Sequence, residues 1–338
     1  MRFVLPLLWA LTGCGLLGSK GDGSETAAAE ELLRAGDLAG AQAEYQKLIE
    51  ADATSVDAAV GLSFLAYARG DWAEADKLLA AAEAAAGDKL PAIKLRRALV
   101  ALKAADTDAV RTHAEASGLP AGKLLTAEVL LADGERDEAV KVLDGLAADT
   151  TEVGKTAQKY LSLLKDPDAS VAGLAENYAL WALGQRQVAV SSVEEVVKAL
   201  PDTREDKPAE LLLWAGRAAS VGESQVALNL VESVGFPPAG QAWRVEATRA
   251  IIQCAEGDAA TCQATFGSLA ATAPADGLAD ARATAAIALG DRDPEATKAL
   301  LEGVETSSAA LAAYRAGKTG LAMKLAPEGL LRQFLSER

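Results

Sequence analysis

The sequence predicts an all-α chain, an α-solenoid of stacked helical hairpins, on three observations. The segments EELLRAGDLAGAQAEYQKLIEADATS and VGLSFLAYARGDWAEADKLLAAAEAAAGD share one ruler: Gly36 and Gly70, Asp37 and Asp71, and Ala41 and Ala75 each lie 34 residues apart. On both sides of the Gly-Asp pairs apolar residues recur every three or four positions, so one helix runs into the turn and another leaves it. No stretch alternates with period two, so no strands are expected.

The same ruler continues along the chain. Gly134 is followed by Ala139 and Leu143, Gly184 by Ala189, Val193 and Pro201, and Gly222 by Ala227 and Val231. Gly257 is followed by Cys262, Phe266 and Pro274. Glycine suits the turn because it tolerates positive φ, and a small residue five positions on lets two helices approach closely. Gly70 and Gly134 are 64 positions apart, room for one degenerate hairpin around Ala105 and Asp106. The 50 residues from Gly134 to Gly184 leave space for an extra helix near KTAQKYLSLLK. The segment KDPDAS that follows, with Asp166, Pro167 and Asp168, stops one helix and starts another, so it marks a boundary between two halves. Towards the end Asp293 and Pro294 form a cap and first-turn proline, and Gly290 and Gly317 mark two shorter hairpins.

The pattern resembles tetratricopeptide repeats over most of residues 25 to 338: glycine between helices A and B, alanine five residues later, a large apolar residue four further on, and proline near the repeat's end. Two repeats at the start are good and the later ones weaker. The large residue of early helix A is often missing, as at Ala59, and a generic α-hairpin solenoid remains the other reading.

Before the first repeat stand Arg2, the apolar run FVLPLLWAL, then Thr12, Gly13 and Cys14, the charged, apolar, small order of a secretory signal. Nine apolar residues are too few to span a bilayer as a helix. The stretch LTGC resembles the lipobox of bacterial lipoproteins, with Cys14 as the acylated first residue of the mature chain; an ordinary signal peptide holding a chance cysteine is the alternative. By the sorting pattern of Gram-negative lipoproteins, Gly15 in place of Asp points to the outer membrane. The expected organisation is a signal peptide over 1–13, lipidated Cys14 and a flexible tether over 14–25, and two repeat halves over 26–166 and 167–338.

A net charge of -15 disfavours nucleic acid, whose affinity comes largely from Lys and Arg displacing counterions. There is no CxxC, HExxH, P-loop, GxSxG or EF-hand pattern, and no metal or cofactor is expected. The single histidine, His113, sits near a helix end, where a solvated side chain facing the helix dipole is the plainer reading. Cys254 and Cys262, in CAEGDAATC, lie either side of Asp258; a disulfide across the hairpin and two separate core thiols are both compatible with that spacing.

Without a reactive group, function falls to a surface. The resemblance implies a concave face lined by helix A, which places Phe64 and Tyr67 of one repeat and Tyr178 and Trp181 of another as candidate partner-binding residues. The stripe Val171, Leu174, Tyr178 and Trp181 equally describes a buried face. The expected role is a lipid-anchored scaffold or assembly factor holding an envelope protein or peptide in the concave groove. A periplasmic chaperone is the second hypothesis, and an enzyme with an atypical site the third.

Overall fold

A computed structural model describes residues 25–35, 37–235, 237 and 240–304. The leader, Cys14 and nearly all of the tether, Gly36, and the hairpin expected around Gly317 lie outside the described residues.

Among the described residues the chain forms seventeen α-helices and no strand. Eight helical hairpins account for all but one of them: α1 (Ala27–Ala35) with α2 (Leu38–Ala51), α3 (Val56–Ala68) with α4 (Trp72–Glu83), α5 (Leu90–Lys103) with α6 (Thr107–Ser117), and α7 (Pro120–Ala132) with α8 (Arg136–Asp144). Then comes the unpaired α9 (Glu152–Leu164), followed by α10 (Ala169–Ala182) with α11 (Arg186–Ala199) and α12 (Lys207–Ser220) with α13 (Ser224–Glu232). The last two hairpins are α14 (Ala242–Glu256) with α15 (Ala259–Leu269) and α16 (Ala275–Leu289) with α17 (Pro294–Leu301).

One hydrogen-bonded turn closes seven of these hairpins. The backbone N–H of Asp37, Asp71, Asp106, Glu135, Gln185, Glu223 or Asp258 reaches back five residues to the carbonyl of Leu32, Ala66, Ala101, Leu130, Leu180, Ala218 or Gln253. This six-to-one bond satisfies a carbonyl that the helix end would otherwise leave open, and it requires a left-handed residue just before the donor. Gly70 meets the requirement at φ +79°. In the hairpin without a glycine, Ala105 takes the same place at φ +58°, the one non-glycine residue with positive φ among those described.

Where the next residue is aspartate, its carboxylate then caps the second helix. Asp71 accepts from the Glu74 N–H at 3.1 Å, and Asp37, Asp106 and Asp258 accept from Gly40, Ala109 and Thr261. Glutamate at the same position, one methylene longer, does not cap: Glu135 instead receives Arg111 and Glu223 receives Gln187. The last hairpin departs from the rule, since a 3-10 turn (Gly290–Arg292) precedes Asp293, which caps Ala296 N–H ahead of Pro294.

Five residues after each turn position the two helices touch. Ala41, Ala75, Val110, Ala139, Ala189, Ala227 and Cys262 occupy that contact, and each has no exposed surface. Four residues further on, Tyr45, Leu79, Ala114, Leu143, Val193, Val231 and Phe266 fill the space behind them. Tyr45 lies flat on Gly61 of α3, where an added Cβ would come within 2.4 Å of the ring, so that glycine is set by close approach rather than by φ.

The described chain divides into two compact units. The first runs through Pro167 and includes Tyr178–Gln185; the second comprises Asp168–Asn177 and continues from Arg186. The division at Pro167 lies inside the KDPDAS stretch. In the first unit α3, α4 and α5 share a core of Ala59, Val60, Ala75, Leu79 and Ile93. A second cluster joins Leu99, Val110, Ala114, Leu125 and Val129 of α5, α6 and α7. Charged side chains bridge α4 to α5: Arg97 makes a two-pronged contact with Asp76 at 2.7 and 2.9 Å and reaches Glu83 at 2.7 Å.

In the second unit Trp214 is fully buried with the Arg217 guanidinium 4.3 Å from its ring centre. Lys207 Nζ donates to the Leu200 carbonyl at the end of α11, and Arg292 donates to the carbonyls of Ala255 and Ala288, tying the ends of α14 and α16 together. No helix of the described residues is long and apolar enough to cross a membrane.

Candidate functional site

The four candidate aromatic residues fall into two different environments. Phe64 and Tyr67 lie near the end of α3 and are half-buried. Tyr67 packs on the α3–α4–α5 core and meets the Trp72 ring edge-on, with centroids 5.0 Å apart. Its burial pushes the phenol pKa up to about 12, so it remains a neutral hydroxyl at any ordinary pH.

Tyr178 and Trp181 are core residues, at 4 % and 8 % exposure. Lys159 of α9 sits 3.9 Å from the centre of the Tyr178 ring. A void of about 10 Å³, at the lower limit for holding one water, separates Tyr178 from Thr156, Tyr160 and Leu163. The expectation that Tyr178 and Trp181 present an aromatic surface to a partner is therefore corrected: their three-four spacing is that of a buried stripe, with Val171 and Leu174 at 1 % and 0 % exposure.

The first helices of several hairpins are largely enclosed. From Leu124 to Leu131, every residue of α7 is buried, and α5 and α12 bury half or more of their residues. The large apolar side chains that stand exposed among the described residues, Leu90 and Val188, belong to different units and make no contiguous patch. The second unit holds an open cleft of about 590 Å³ lined by Asp202, Arg204, Lys207, Leu211, Ser233 and Gln241. Its cations are engaged, Arg204 with Asp206 and Lys207 with Asp202 and the α11 carbonyls.

Cys254, at the end of α14, is joined to Cys262 of α15 by a disulfide across the Gly257–Asp258 turn, with Cα atoms 5.5 Å apart and both residues fully buried. The bond takes the place where an alanine touches its partner helix in five of the other hairpins. His113 lies on α6, half-exposed, with its proton affinity lowered by partial burial and by the Arg97 charge. Among the described residues no three His, Cys, Asp or Glu side chains gather as metal ligands.

One group of unusual chemistry escaped the sequence reading. Glu128, in the middle of the enclosed α7, is 4 % exposed; one carboxyl oxygen accepts the Tyr160 hydroxyl at 3.1 Å, and the other, Oε2, has no hydrogen-bond partner among the described residues. Burial raises its pKa to about 8 against the smaller, lowering effect of the Tyr160 bond. The available signal was a lone carboxylate within LLTAEVLLA, a run with no polar face to carry it.

No family model matches the chain, and no curated protein matches it. Among solved structures, the crystal structure of the P58(IPK) TPR domain is similar over 89 % of this chain and 98 % of that one, at 15 % identity and a TM-score of 0.25. The description as an array of helical hairpins rests on the chain's own repeated turn and helix contact.

Proposed function

We propose that the protein is a membrane-anchored helical-repeat scaffold of the bacterial envelope, which holds a protein or peptide partner rather than transforming a substrate. The observation that carries this reading is the combination of LTGC near the start of the chain with an array of helical hairpins closed by one repeated turn. Cys14 is the anchor, acylated and held in the outer membrane, and residues 14–25 are the tether. The Cys254–Cys262 disulfide supports an oxidising compartment, since such bonds persist outside the cytosol. Phe64 and Tyr67 remain the aromatic pair for a partner, because each residue is only half-buried while Tyr178 and Trp181 are enclosed.

The test is crosslinking of the intact protein in its native cells, beside the Cys14→Ser variant. The scaffold reading expects one stoichiometric envelope partner and loss of membrane attachment in the variant. Unchanged fractionation of Cys14→Ser removes the anchor. A broad set of unfolded clients in place of one partner favours a chaperone.

A further inference from the structure

The helix that breaks the hairpin rhythm and the carboxyl group that breaks the rule against buried acids meet at one contact. Among the described residues α9 is the helix with no hairpin mate, and it packs on α7 and α8. Its buried face, Thr156, Ala157, Tyr160, Leu161 and Leu163, includes a single hydroxyl that reaches Glu128. The small void beside Tyr160 leaves this contact less than fully packed.

A carboxylate in that position lacks what an anion needs. Oε2 is unpartnered, and the one donor to Oε1 is a neutral phenol. The helices around α7 carry Arg96 on α5, His113 on α6, Lys141 on α8 and Lys159 on α9, but Lys141 pairs with Glu138 and Lys159 lies on the Tyr178 ring. Burial and the Tyr160 bond are what set the proton affinity of Glu128. The neutral acid therefore belongs to the docked state, and an ionised one belongs to a state in which water reaches it.

We propose that the Glu128–Tyr160 contact is a proton-operated latch on α9, which holds the helix against α7 more tightly as the medium becomes more acidic. The sign follows from linkage. With α9 docked the carboxyl titrates near 8, and with α9 released and the group in water it titrates near 4.5. Docking binds a proton wherever these differ, so the latch is strongest below about 4.5, weakens as pH rises, and levels off above about 8. Between those limits each pH unit changes the opening equilibrium about ten-fold.

The experiment is amide hydrogen exchange on the full chain from pH 5 to 8, corrected for the intrinsic pH dependence of exchange, reading residues 152–164 against the rest of the first unit. The expected result is an opening of α9 that grows about ten-fold per unit in the parent and is flat in Glu128→Gln. If Glu128→Gln does not fold, Tyr160→Phe serves. Loss of the hydroxyl that lowers the proton affinity of Glu128 keeps the slope undiminished up to pH 8, where the parent's has begun to level off. An α9 whose protection is independent of pH in the parent overturns the latch. So does a Glu128→Gln variant that keeps the slope, or an opening shared equally by α3 to α8.

Discussion

Hairpins α3–α4 and α5–α6 close with the same turn and fill it with different residues. In the first, Gly70 supplies the left-handed step and the helix contact is Ala75 backed by Leu79; in the second, Ala105 supplies the step and the contact is Val110 backed by Ala114. The larger residue has moved from the second position to the first, so the contact is filled in both. Hydrogen bonding is kept and volume nearly so, Val110 and Ala114 together being one methylene smaller than Ala75 and Leu79, while residue identity is exchanged. A motif search built on glycine, alanine and a large apolar residue therefore finds the first hairpin readily and the second only by arithmetic.

Truncating Leu79 should have the largest effect. Leu79→Ala gives α3–α4 small residues at both positions, which no other hairpin in the first unit has, and a cost of about 2 to 5 kcal/mol is expected. Urea unfolding with an unchanged m-value measures it. A cost below about 1 kcal/mol means the site collapses around the loss and the volume exchange has no energetic basis.

Exchanging the turn residues should have a smaller effect. An added Cβ at Gly70 meets only Trp72 at 3.7 Å, so Gly70→Ala is opposed by φ alone and should cost about 1 to 2 kcal/mol. Ala105→Gly relieves the same strain but loosens the unfolded chain, leaving a net gain of roughly 0.5 kcal/mol. Opposite signs in thermal melts are the expected outcome. Equal signs mean the two turns differ in something beyond their left-handed residue.

The smallest effect concerns the bridge between the two hairpins. Burial alone raises the Glu83 carboxyl, but hydrogen bonds from Arg97 and Lys94 hold it below its ordinary value. A depressed acid contributes stability above its unfolded pKa and loses it as pH falls through the folded one. Arg97→Met should therefore cost a small part of the stability near neutrality, converge on the parent in acid, and so flatten the profile below about pH 4.5. A profile that keeps its acid slope in Arg97→Met assigns that slope to other carboxylates.

Much of the architecture was legible because it is written in local chemistry. The Gly-Asp comb, the small residue five positions on, the room for a hairpin at Ala105 and the extra helix before KDPDAS all depend on residues within one turn or one helix of each other. The environment of the aromatic residues was not legible in the same way. Tyr178 and Trp181 follow a spacing that fits a groove or a core, and only packing from the preceding helix, α9, decides for Tyr178. Glu128 was missed for the converse reason. Its partner lies 32 residues away, and an acid among leucines reads as an exposed interruption until every face of its helix is seen to be covered.

The turn that reaches back five residues has a consequence for how the chain folds. The bond that ends one helix and the contact that mates it to the next are both made within about one hairpin's length, so little loop entropy is spent before native contacts form. Each hairpin is then its own kinetic unit, able to close as soon as its residues are free, whatever the state of the segments beyond it. Of all the described helices α9 gains least from this, having no mate of its own to close upon and drawing its contacts from α7 and α8.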